Sequence, residues 1–486
     1  MEVLNLTIKK AHDGLIKKEF SAKDLVQHFL ARIEKLDKNI QAFLTVTRDL
    51  ALSQAKKIDK LISAGKDIPI LAGVPLAIKD NILLKDVTCT AGSKILENYI
   101  AAYDATCIKK LKKEEAVFLG KTNMDEFAMG SSGENSGFFP TKNPHDLERV
   151  PGGSSSGSVA AVAADFVIFA LGSDTCGSLR QPASFCGVVA LKPTYGAVSR
   201  YGLIAMASSL DQIGPITKTV EDAGLVFDII SGKDEMDSTS VSIEREKKRE
   251  SSLRGGRLGA SREIGNLRVG IPKEYFAKGI DPEVEKIVKS AIKKYEDKGA
   301  SIEEISLPYS TDYALATYYI IMPSEVSANL ARYDGIKYGY AAREAEDLFD
   351  FYLKTREEGF GPEVKRRIML GTYALSAGYY DAYYLRAQKI RTLIKKEFDR
   401  AFEKVDVLMT PVSPTTAFKL GEKMTDPLSM YLSDIYMGAV NLAGLPAISI
   451  PCGKIGKLPV NFQIIGNKFE EDKIIETGKF FEKLES

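Results

Sequence analysis

Residues 151–182 limit the possible folds of this chain more than any other stretch. They contain two turns rich in glycine and serine, at 152–157 and 172–178, and between them a helix of small residues at 158–164 and a short apolar strand at 166–171. A strand that follows a helix runs back along it, so both turns can meet at one end of this unit. Glycine lets the backbone approach a ligand closely, and successive N–H groups in such turns can bind an anion or a developing oxyanion. The stretch therefore predicts a site with a reactive serine.

The type of nucleophile follows from the residues that are missing around this stretch. The pattern G-x-S-x-G at 153–157, centred on Ser155, is typical of hydrolases with a Ser-His-Asp triad. We reject this interpretation, because residues 149–151 make a poor strand and the only histidines, His12, His28 and His145, precede the turn. A Walker phosphate loop is excluded as well, since no Lys-Ser/Thr pair follows the second glycine. A serine without a histidine needs another base, for which lysine is the usual substitute.

Lys79 is the candidate base. It ends an apolar segment at 71–78 and is followed by the polar pair Asp80 and Asn81, which indicates a lysine at the end of a buried strand. A free lysine has a pKa of about 10.4, and lowering it to about 7 requires roughly 4–5 kcal/mol of destabilisation of the charged form. Burial and serine partners would supply this. The alternative, which the segment alone leaves open, is a lysine that extends from a strand end into solvent.

Three separated motifs together resemble the amidase signature family: G-V-P-L-A-I-K-D-N at 73–81, P-G-G-S-S-S-G-S at 151–158 and G-S-D-T-C-G-S-L-R-Q-P-A at 172–183. The resemblance implies an α/β fold with a central mixed sheet covered by helices on both faces. It also implies that Ser178 is the nucleophile that forms the acyl ester, that Ser154 relays the proton, and that Lys79 is the base. The bridging serine of the family follows a cis peptide bond, whose counterpart here joins Gly153 and Ser154.

The resemblance covers nearly the whole chain and is strongest over residues 73–215. Within the family, the chain resembles the A subunits of tRNA-dependent amidotransferases in particular. The stretches that carry this likeness are 123–132, 140–144, 192–196, 208–215, 363–372 and 441–446. In that branch the A subunit hydrolyses glutamine, and the ammonia passes to a B subunit that activates glutamyl- or aspartyl-tRNA with ATP and Mg²⁺, while a small C subunit wraps the pair. The resemblance thus implies a heterotrimer, no cofactor or metal in this chain, and tRNA contacts mainly through the partner. Whether the acceptor is tRNA(Gln), tRNA(Asn) or both stays open.

The substrate pocket is expected to recognise both charged groups of free glutamine. Its α-ammonium and α-carboxylate call for one anion and one cation, and an arginine fork matches a carboxylate. The resemblance assigns these contacts to Asp434 and Arg367, for which the alternative is a surface ion pair. It further implies pocket contacts from Met129, Gly130 and Ser131, and oxyanion-hole amides from Thr175, Cys176, Gly177 and Ser178.

Five positions depart from the pattern of the A subunits. Cys176 stands where glycine is usual, and Ser156, Gly133, Phe139 and Asn461 stand where glycine, threonine, glycine and glycine are more frequent. A catalytic role for Cys176 is the alternative to Ser178, but Ser178 is the residue that matches the motif. We interpret Cys176 as a backbone-donor position with a small side chain.

Composition and charge exclude several classes of function. The net charge is +1, with 66 basic and 65 acidic residues, so no strong field attracts the chain to nucleic acid or membrane. Its 44% hydrophobic and 27% charged residues are typical of a soluble globular protein. The five cysteines have no C-x-x-C spacing, which favours a reducing compartment and no zinc site. Without a predicted signal peptide or membrane span, we expect a cytoplasmic protein.

We predict one amidase domain over residues 1–486. It comprises an N-terminal helical part at 1–68, the catalytic core at 70–217, an exposed loop at 233–266, and the rest of the sheet with its helical cover at 267–486. The alternative for the loop is an insert that binds a partner or RNA. Helices are predicted at 21–36, 50–63 and 282–298, and strands at 117–121, 267–272, 301–306, 407–410 and 447–451.

Two other functions remain as alternatives. One is a stand-alone amidase of small or fatty amides, which an apolar substrate tunnel without the Arg367 and Asp434 pair would favour. The other is a non-catalytic interaction subunit, against which the complete set of Lys79, Ser154 and Ser178 argues.

Overall fold

The computed structural model describes residues 4–242, 264–276 and 279–485. Most of the predicted exposed loop at 233–266 lies outside the described residues, so that prediction is not tested. The strands are β1 Phe43–Val46, β2 Pro75–Lys79, β3 Val117–Thr122, β4 Phe169–Asp174, β5 Val189–Lys192, β6 Gln212–Thr217, β7 Arg268–Pro272, β8 Ser301–Ile305, β9 Val407–Pro411, β10 Ala447–Ile455 and β11 Leu458–Gly466. The α-helices are α1 Ile8–Ile16, α2 Ala22–Ile40, α3 Arg48–Ser63, α4 Thr106–Lys113, α5 Ser156–Ala163, α6 Arg180–Cys186, α7 Val220–Ile230, α8 Pro282–Glu296, α9 Pro308–Asp312, α10 Ala314–Asn329, α11 Leu348–Gly359, α12 Pro362–Leu375, α13 Arg386–Lys404, α14 Pro427–Leu432, α15 Gly438–Ala443 and α16 Glu471–Glu485.

The strands form one mixed sheet of 11 strands in the order β1-β3-β2-β4-β6-β5-β10-β11-β9-β7-β8. Strand β2 runs parallel to β3 and β4, and β7 runs parallel to β8 and β9, whereas the other pairs are antiparallel. Every residue of β2, β3, β4, β6 and β11 is buried. Because successive side chains of a strand point to opposite faces, both faces of the sheet must be covered there. The predicted α/β architecture is confirmed.

Local sequence signals explain the helix boundaries well. Helix α2 begins after Ser21, whose hydroxyl accepts the Asp24 amide at 3.0 Å, while the Asp24 carboxylate accepts the Ser21 amide at 3.2 Å. This capping box satisfies donors that a helix start leaves without partners. Leu25, Phe29 and Ile33 are buried on one face, as their spacing predicts. The helix continues four residues past the predicted end, to Ile40.

Strand positions were predicted less accurately than helices. The apolar strand expected at 166–171 lies at Phe169–Asp174, so Gly172 and Ser173 belong to β4 and not to the turn. Pairing with β6 carries the ladder to Asp174, opposite Gln212. Strands β1, β6 and β11 were not predicted. The strand β6 contains Gly214 and Pro215, which locally favour a turn, and tertiary pairing overrides that preference.

The sheet brings the first and third sequence motifs to one edge. Strands β3, β2 and β4 are parallel neighbours, so the residues at their carboxyl ends lie side by side. These residues are Lys79, the segment after Thr122, and the segment after Asp174. Ligand sites of α/β sheets lie at such carboxyl ends. None of the described helices is long and apolar enough to cross a membrane.

Helix α5 reaches this edge because Gly157 has no side chain. A Cβ atom there would meet the Ala42 carbonyl, and the Asn123 backbone N and O at 2.6 and 2.7 Å. Backbone atoms cannot move aside as a flexible side chain does. The close approach places the serine turn that precedes α5 against the segment after β3.

We predict that Gly157→Ala lowers the free energy of unfolding by about 1–3 kcal/mol, the range of overpacked sites. Urea unfolding followed by circular dichroism measures the change. Gly265→Ala is the matched control, because nothing lies within 4 Å of a Cβ at Gly265, and its stability should stay within about 0.5 kcal/mol. An unchanged unfolding midpoint for Gly157→Ala would contradict the steric account.

Candidate active site

The three motifs meet around the side chain of Lys79. Lys79 is the last residue of β2, and its side chain is completely buried. Its Nζ lies 2.7 Å from Ser154 Oγ, 2.9 Å from Ser155 Oγ and 2.9 Å from Ser173 Oγ. Ser154 and Ser155 come from the turn before α5, and Ser173 comes from β4. Residues separated by up to 94 positions in sequence thus form one hydrogen-bonded cluster.

Burial lowers the pKa of Lys79 to about 7, although the carboxylates of Asp125, Asp174 and Asp211 act in the opposite direction. Desolvation penalises the ammonium because hydroxyl groups replace its water only in part. A large fraction of Lys79 is therefore neutral at pH 7, as a lysine that serves as a base must be. The alternative of a lysine that extends into solvent is wrong for this residue.

The surrounding hydrogen bonds limit which hydroxyl can face the lone pair of neutral Lys79. Ser155 Oγ donates to the Ser173 carbonyl at 3.1 Å, so it receives an N–H of the lysine as an acceptor. Ser173 Oγ accepts the amide of Asn81 at 3.0 Å and keeps its own proton. The lone pair can therefore face the hydroxyl of Ser154 or of Ser173, and Ser154 is the nearer of the two, at 2.7 Å against 2.9 Å.

Ser178 lies in the turn that follows β4. The residue is 6% exposed, whereas Lys79 and Ser154 are fully buried. Its carbonyl accepts the amide of Ser155 at 3.2 Å, which joins the two serine-containing turns through their backbones. The Gly153–Ser154 peptide bond is cis, as the family resemblance implies. Ser178 is therefore the most exposed of the three residues.

Asp174 holds the turn that carries Ser178. Its carboxylate accepts the amides of Gly177 at 2.7 Å and Leu179 at 3.2 Å, and it forms a buried ion pair with Arg180. Burial alone raises the pKa of Asp174, but the charge and hydrogen bonds of Arg180 outweigh it and hold the pKa at about 2. The carboxylate is thus ionised at neutral pH and binds the turn as an anion.

The hydrogen bonds of this turn limit the oxyanion hole that the resemblance implies. The Gly177 amide is engaged by Asp174 and is not available to a substrate. Within the described part of the chain, the amides of Cys176 and Ser178 donate to no other protein group. The Thr175 hydroxyl donates to Asp211 at 2.7 Å, which leaves the Thr175 amide unused within the described residues as well. The available donors are therefore the amides of Thr175, Cys176 and Ser178, whereas Gly177 packs against Met437.

Arg180 connects the nucleophile turn to the C-terminal part of the sheet, a role that the sequence analysis missed. Its guanidinium donates to Gln463 Oε1 at 3.0 Å and to Asn441 Oδ1 at 2.5 Å. Asn441 in turn donates to Asp174 at 2.9 Å. The signal was present, since Arg180 lies in the third family motif, but its partners are more than 250 residues away.

Arg367 is a buried residue and not part of a surface ion pair. Its side chain is 4% exposed and its Nε donates to Glu363 at 2.8 Å. The guanidinium lies 5.5 and 5.7 Å from the ring centres of Tyr319 and Tyr431, which stack on each other. The Tyr431 hydroxyl also donates to Glu363, at 3.0 Å. The arginine is therefore held in place by the hydrogen bond from its Nε to Glu363 and by the contacts of its guanidinium with the two tyrosine rings.

Asp434 is also buried, and only one of its oxygens is used. Oδ2 accepts the hydroxyl of Ser131 at 2.5 Å, and Oδ1 has no partner among the described residues. Burial raises the pKa of Asp434 to about 7, although Ser131 and the nearby charge of Arg367 lower it. A buried carboxylate oxygen without a partner is costly unless a ligand supplies a donor. The side chain is suited to bind a cationic group.

The segment Met129–Gly130–Ser131 follows a 3-10 turn at Glu126–Ala128 and lies next to the serine turn. Gln181 connects the two, because its Nε2 donates to the Ser131 carbonyl at 2.8 Å and its Oε1 accepts the Gly153 amide at 3.0 Å. Met129 is buried as well. Hydrogen bonds thus link Ser131 to Asp434 on one side and, through Gln181, to Gly153 of the serine turn on the other.

Two departures from the family pattern compensate each other. A Cβ atom on Gly133 would lie 2.6 Å from the Cβ of Ser156, so the side chain of Ser156 fills space that a larger residue at 133 would need.

Cys176 is buried against α15, where its Sγ lies 3.3 Å from a Cβ placed on Gly438. Burial raises the pKa of its thiol well above the usual range, which disfavours a thiolate nucleophile. Asn461 lies in β11, bonded to Val188 and Ser449.

Comparisons with known proteins identify the family of the chain. The sequence profile of the Amidase family matches residues 24–475. The chain is 58% identical over 483 residues to the A subunit of glutamyl-tRNA(Gln) amidotransferase from Carboxydothermus hydrogenoformans, covering 99% of this chain and 98% of that one. It is 54% identical to the protein of the same name from Sulfurihydrogenibium, covering 100% and 98%.

Solved structures give the same result. The A subunit of glutamyl-tRNA(Gln) amidotransferase from Thermotoga maritima is 44% identical, with a TM-score of 0.78 over 97% of this chain and 93% of that one. The peptide amidase of Stenotrophomonas maltophilia is 27% identical, with a TM-score of 0.79 over 99% and 97%.

We predict that the reactivity of Ser178 toward a sulfonyl fluoride depends on the neutral form of Lys79. Below about pH 7 the ammonium cannot accept a proton, so the rate of inactivation should fall about tenfold per pH unit, and above pH 7 it should reach a plateau. Lys79→Ala should reduce the plateau by about 100-fold or more. The rate is measured by loss of free Ser178 in mass spectra.

Lys192 is the matched control, because burial lowers its pKa to about 7 as well and its Nζ donates to the Pro193 carbonyl instead of a serine. Lys192→Gln should leave the midpoint of the pH profile unchanged in protein that remains folded. A midpoint that moves with Lys192 and not with Lys79 would overturn the assignment of the base.

Proposed function

This chain belongs to the amidase family, and we propose that within this family it is the glutamine-hydrolysing A subunit of a tRNA-dependent amidotransferase. One observation carries the proposal. Beside the cluster of Lys79 and Ser154, the buried pair of Arg367 and Asp434 offers one cation and one partly unpaired anion, which match the two charged ends of a free amino acid. The relatives that bear this name share 52–58% identity with the chain over almost its whole length, which supports the proposal.

In the proposed reaction, neutral Lys79 accepts a proton from Ser154, and Ser154 accepts one from Ser178 as the Ser178 oxygen attacks the side-chain amide carbon of glutamine. The negative charge develops on the carbonyl oxygen, where backbone amides next to Ser178 stabilise it. When the C–N bond breaks, the proton returns through Ser154 to the leaving ammonia. Water then attacks the glutamyl ester, which releases glutamate and restores the Ser178 hydroxyl.

Recognition of glutamine is assigned to Asp434 and Arg367. Asp434 Oδ1 receives the α-ammonium, and the part of the Arg367 guanidinium that faces away from Glu363 binds the α-carboxylate. The backbone of Met129, Gly130 and Ser131 completes the pocket. A simple amide would leave Asp434 Oδ1, and the side of the Arg367 guanidinium that faces away from Glu363, without a polar partner, which argues against a stand-alone amidase of small or fatty amides.

The ammonia is then transferred to a second protein chain. We propose that this B subunit binds ATP and Mg²⁺ and activates glutamyl-tRNA(Gln), that a small C subunit completes a cytoplasmic heterotrimer, and that tRNA is contacted mainly by the partner. The relatives are named as one lettered component of an amidotransferase, which supports the assembly. Whether aspartyl-tRNA(Asn) is also amidated depends on the partner.

Ser178→Ala should abolish ammonia release from glutamine. The reconstituted complex with this variant should still amidate tRNA when ammonium chloride is supplied, because the second reaction needs ammonia and not Ser178. Ammonia release and amide formation on tRNA are measured in parallel. Loss of both activities in a correctly assembled complex would contradict the division of labour between the subunits.

Arg367→Gln should raise the KM for glutamine by about 10- to 100-fold, the effect of losing a hydrogen bond to a charged group. Hydrolysis of propionamide, which lacks the α-groups, should be unchanged. Arg366→Gln is the matched control, since Arg366 pairs with the same Glu363 but is 45% exposed. Equal effects on glutamine and propionamide would assign Arg367 to folding and not to recognition.

A further inference from the structure

A second concave site lies outside the proposed active site. It is a cavity of about 320 Å³ between helix α13, the loop after β11, and the C-terminal end of α15. None of the residues assigned to catalysis or to glutamine lines it. Its charged lining residues are Arg391 and Lys395 from α13 and Lys468 from the loop. The cavity has three cations and no acidic residue among its described lining residues.

The three cations differ in how firmly their side chains are held. Arg391 is anchored, because it donates to the Leu442 carbonyl at 2.9 Å and to the hydroxyl and carbonyl of Ser209 at 2.8 and 2.9 Å. Lys395 and Lys468 both line the cavity and are close enough for Lys395 to lower the pKa of Lys468, and within the described residues neither forms an ion pair. The chain therefore brings two like charges together in a cavity beside a third.

The electrostatic balance at Lys468 is unfavourable to its charged form. Burial, followed by the adjacent Lys395, lowers the pKa of Lys468 to about 8; Arg391 acts in the same direction and Asp399 in the opposite one. Lys468 is half-buried, so water screens this repulsion only in part. An anion between the two ammonium groups would convert their repulsion into attraction for a shared partner.

We propose that this cavity is a binding site for the phosphate group of a small molecule. The lining offers donors that suit a tetrahedral oxyanion: the ammonium groups of Lys395 and Lys468, and the N–H groups of Arg391 that Leu442 and Ser209 do not use. The Thr194 hydroxyl accepts the Phe469 amide at 2.9 Å and retains its own proton as a further donor. The volume exceeds what one phosphate fills, which leaves space for an attached organic group.

Calorimetric titration of the full chain with inorganic phosphate and with a sugar phosphate tests the proposal near pH 8 at low salt. We expect each ligand to show saturable binding of one equivalent. The sugar phosphate should bind more tightly than inorganic phosphate if its organic group occupies the remaining volume. The two affinities should be equal if only the phosphate group is bound. The double variant Lys395→Gln/Lys468→Gln should weaken both at least about tenfold. The glutaminase rate of this variant should be unchanged.

The neighbouring Lys396 supplies the matched control, because it is exposed on the same helix and does not line the cavity. Lys396→Gln should bind phosphate as the unmodified chain does. Absence of saturable phosphate binding, or the same affinity in all three proteins, would overturn the proposal. So would binding of an RNA oligonucleotide that depends on Lys395 and Lys468 while neither phosphate ligand binds.

Proton uptake gives a second readout that a folding defect does not produce. Sulfate does not titrate near pH 8, whereas about half of Lys468 is neutral there and should become protonated when a dianion binds. Titrations with sulfate in two buffers of different ionisation enthalpy should therefore show net proton uptake, and Lys468→Gln should remove it. Sulfate binding without proton uptake in the unmodified chain would exclude Lys468 from the site.

Discussion

The burial of the Lys79 amine among three serine hydroxyls governs the rest of this site. Lowering its pKa from 10.5 to about 7 corresponds to about 4–5 kcal/mol against the charged form. Such a penalty requires that water be excluded, and the sheet excludes it by placing Lys79 at the end of a central strand with neighbours on both sides. The serine hydroxyls form hydrogen bonds with the neutral amine, but they stabilise a charged ammonium less than water does. The same packing thus lowers the basicity of the lysine until much of it is neutral at pH 7, and with a pKa of about 7 the amine can still accept a proton.

Asp174, in contrast to Lys79, keeps its charge although it is buried. Asp174 stays ionised because Arg180 and several donors surround it, and its carboxylate binds the backbone of the turn that carries Ser178. Removing one partner of such a pair leaves an uncompensated charge, so the pair has to be kept complete. Gln463 from β11 and Asn441 from α15 complete it. The catalytic turn therefore depends on residues of the C-terminal part of the chain, although its motif lies in the first half.

Local signals predicted elements where short-range interactions decide them. The capping box of Ser21 and Asp24 specifies the start of α2, and the apolar segment before Lys79 specifies β2. They failed where tertiary contacts override local preference. Gly214 and Pro215 favour a turn but lie in β6, and Asn461 and Gln463 are polar but buried in β11. Gln463 is tolerated there because Thr410, Pro411 and Tyr436 supply its partners, which no local pattern contains.

The residue types that carry the chemistry could be read from the chain alone: a lysine after an apolar segment, serines in two glycine-rich turns, and no histidine in a position to replace the lysine. The resemblance also indicated Arg367 and Asp434. Three further facts emerged from the folded molecule: Ser154 Oγ lies 2.7 Å from the amine of Lys79, the Gly177 amide is engaged by Asp174, and one oxygen of Asp434 has no partner among the described residues. They could not be foreseen, because pKa values and free hydrogen-bonding groups depend on desolvation and on partners from distant segments, and the order of residues along a chain contains neither.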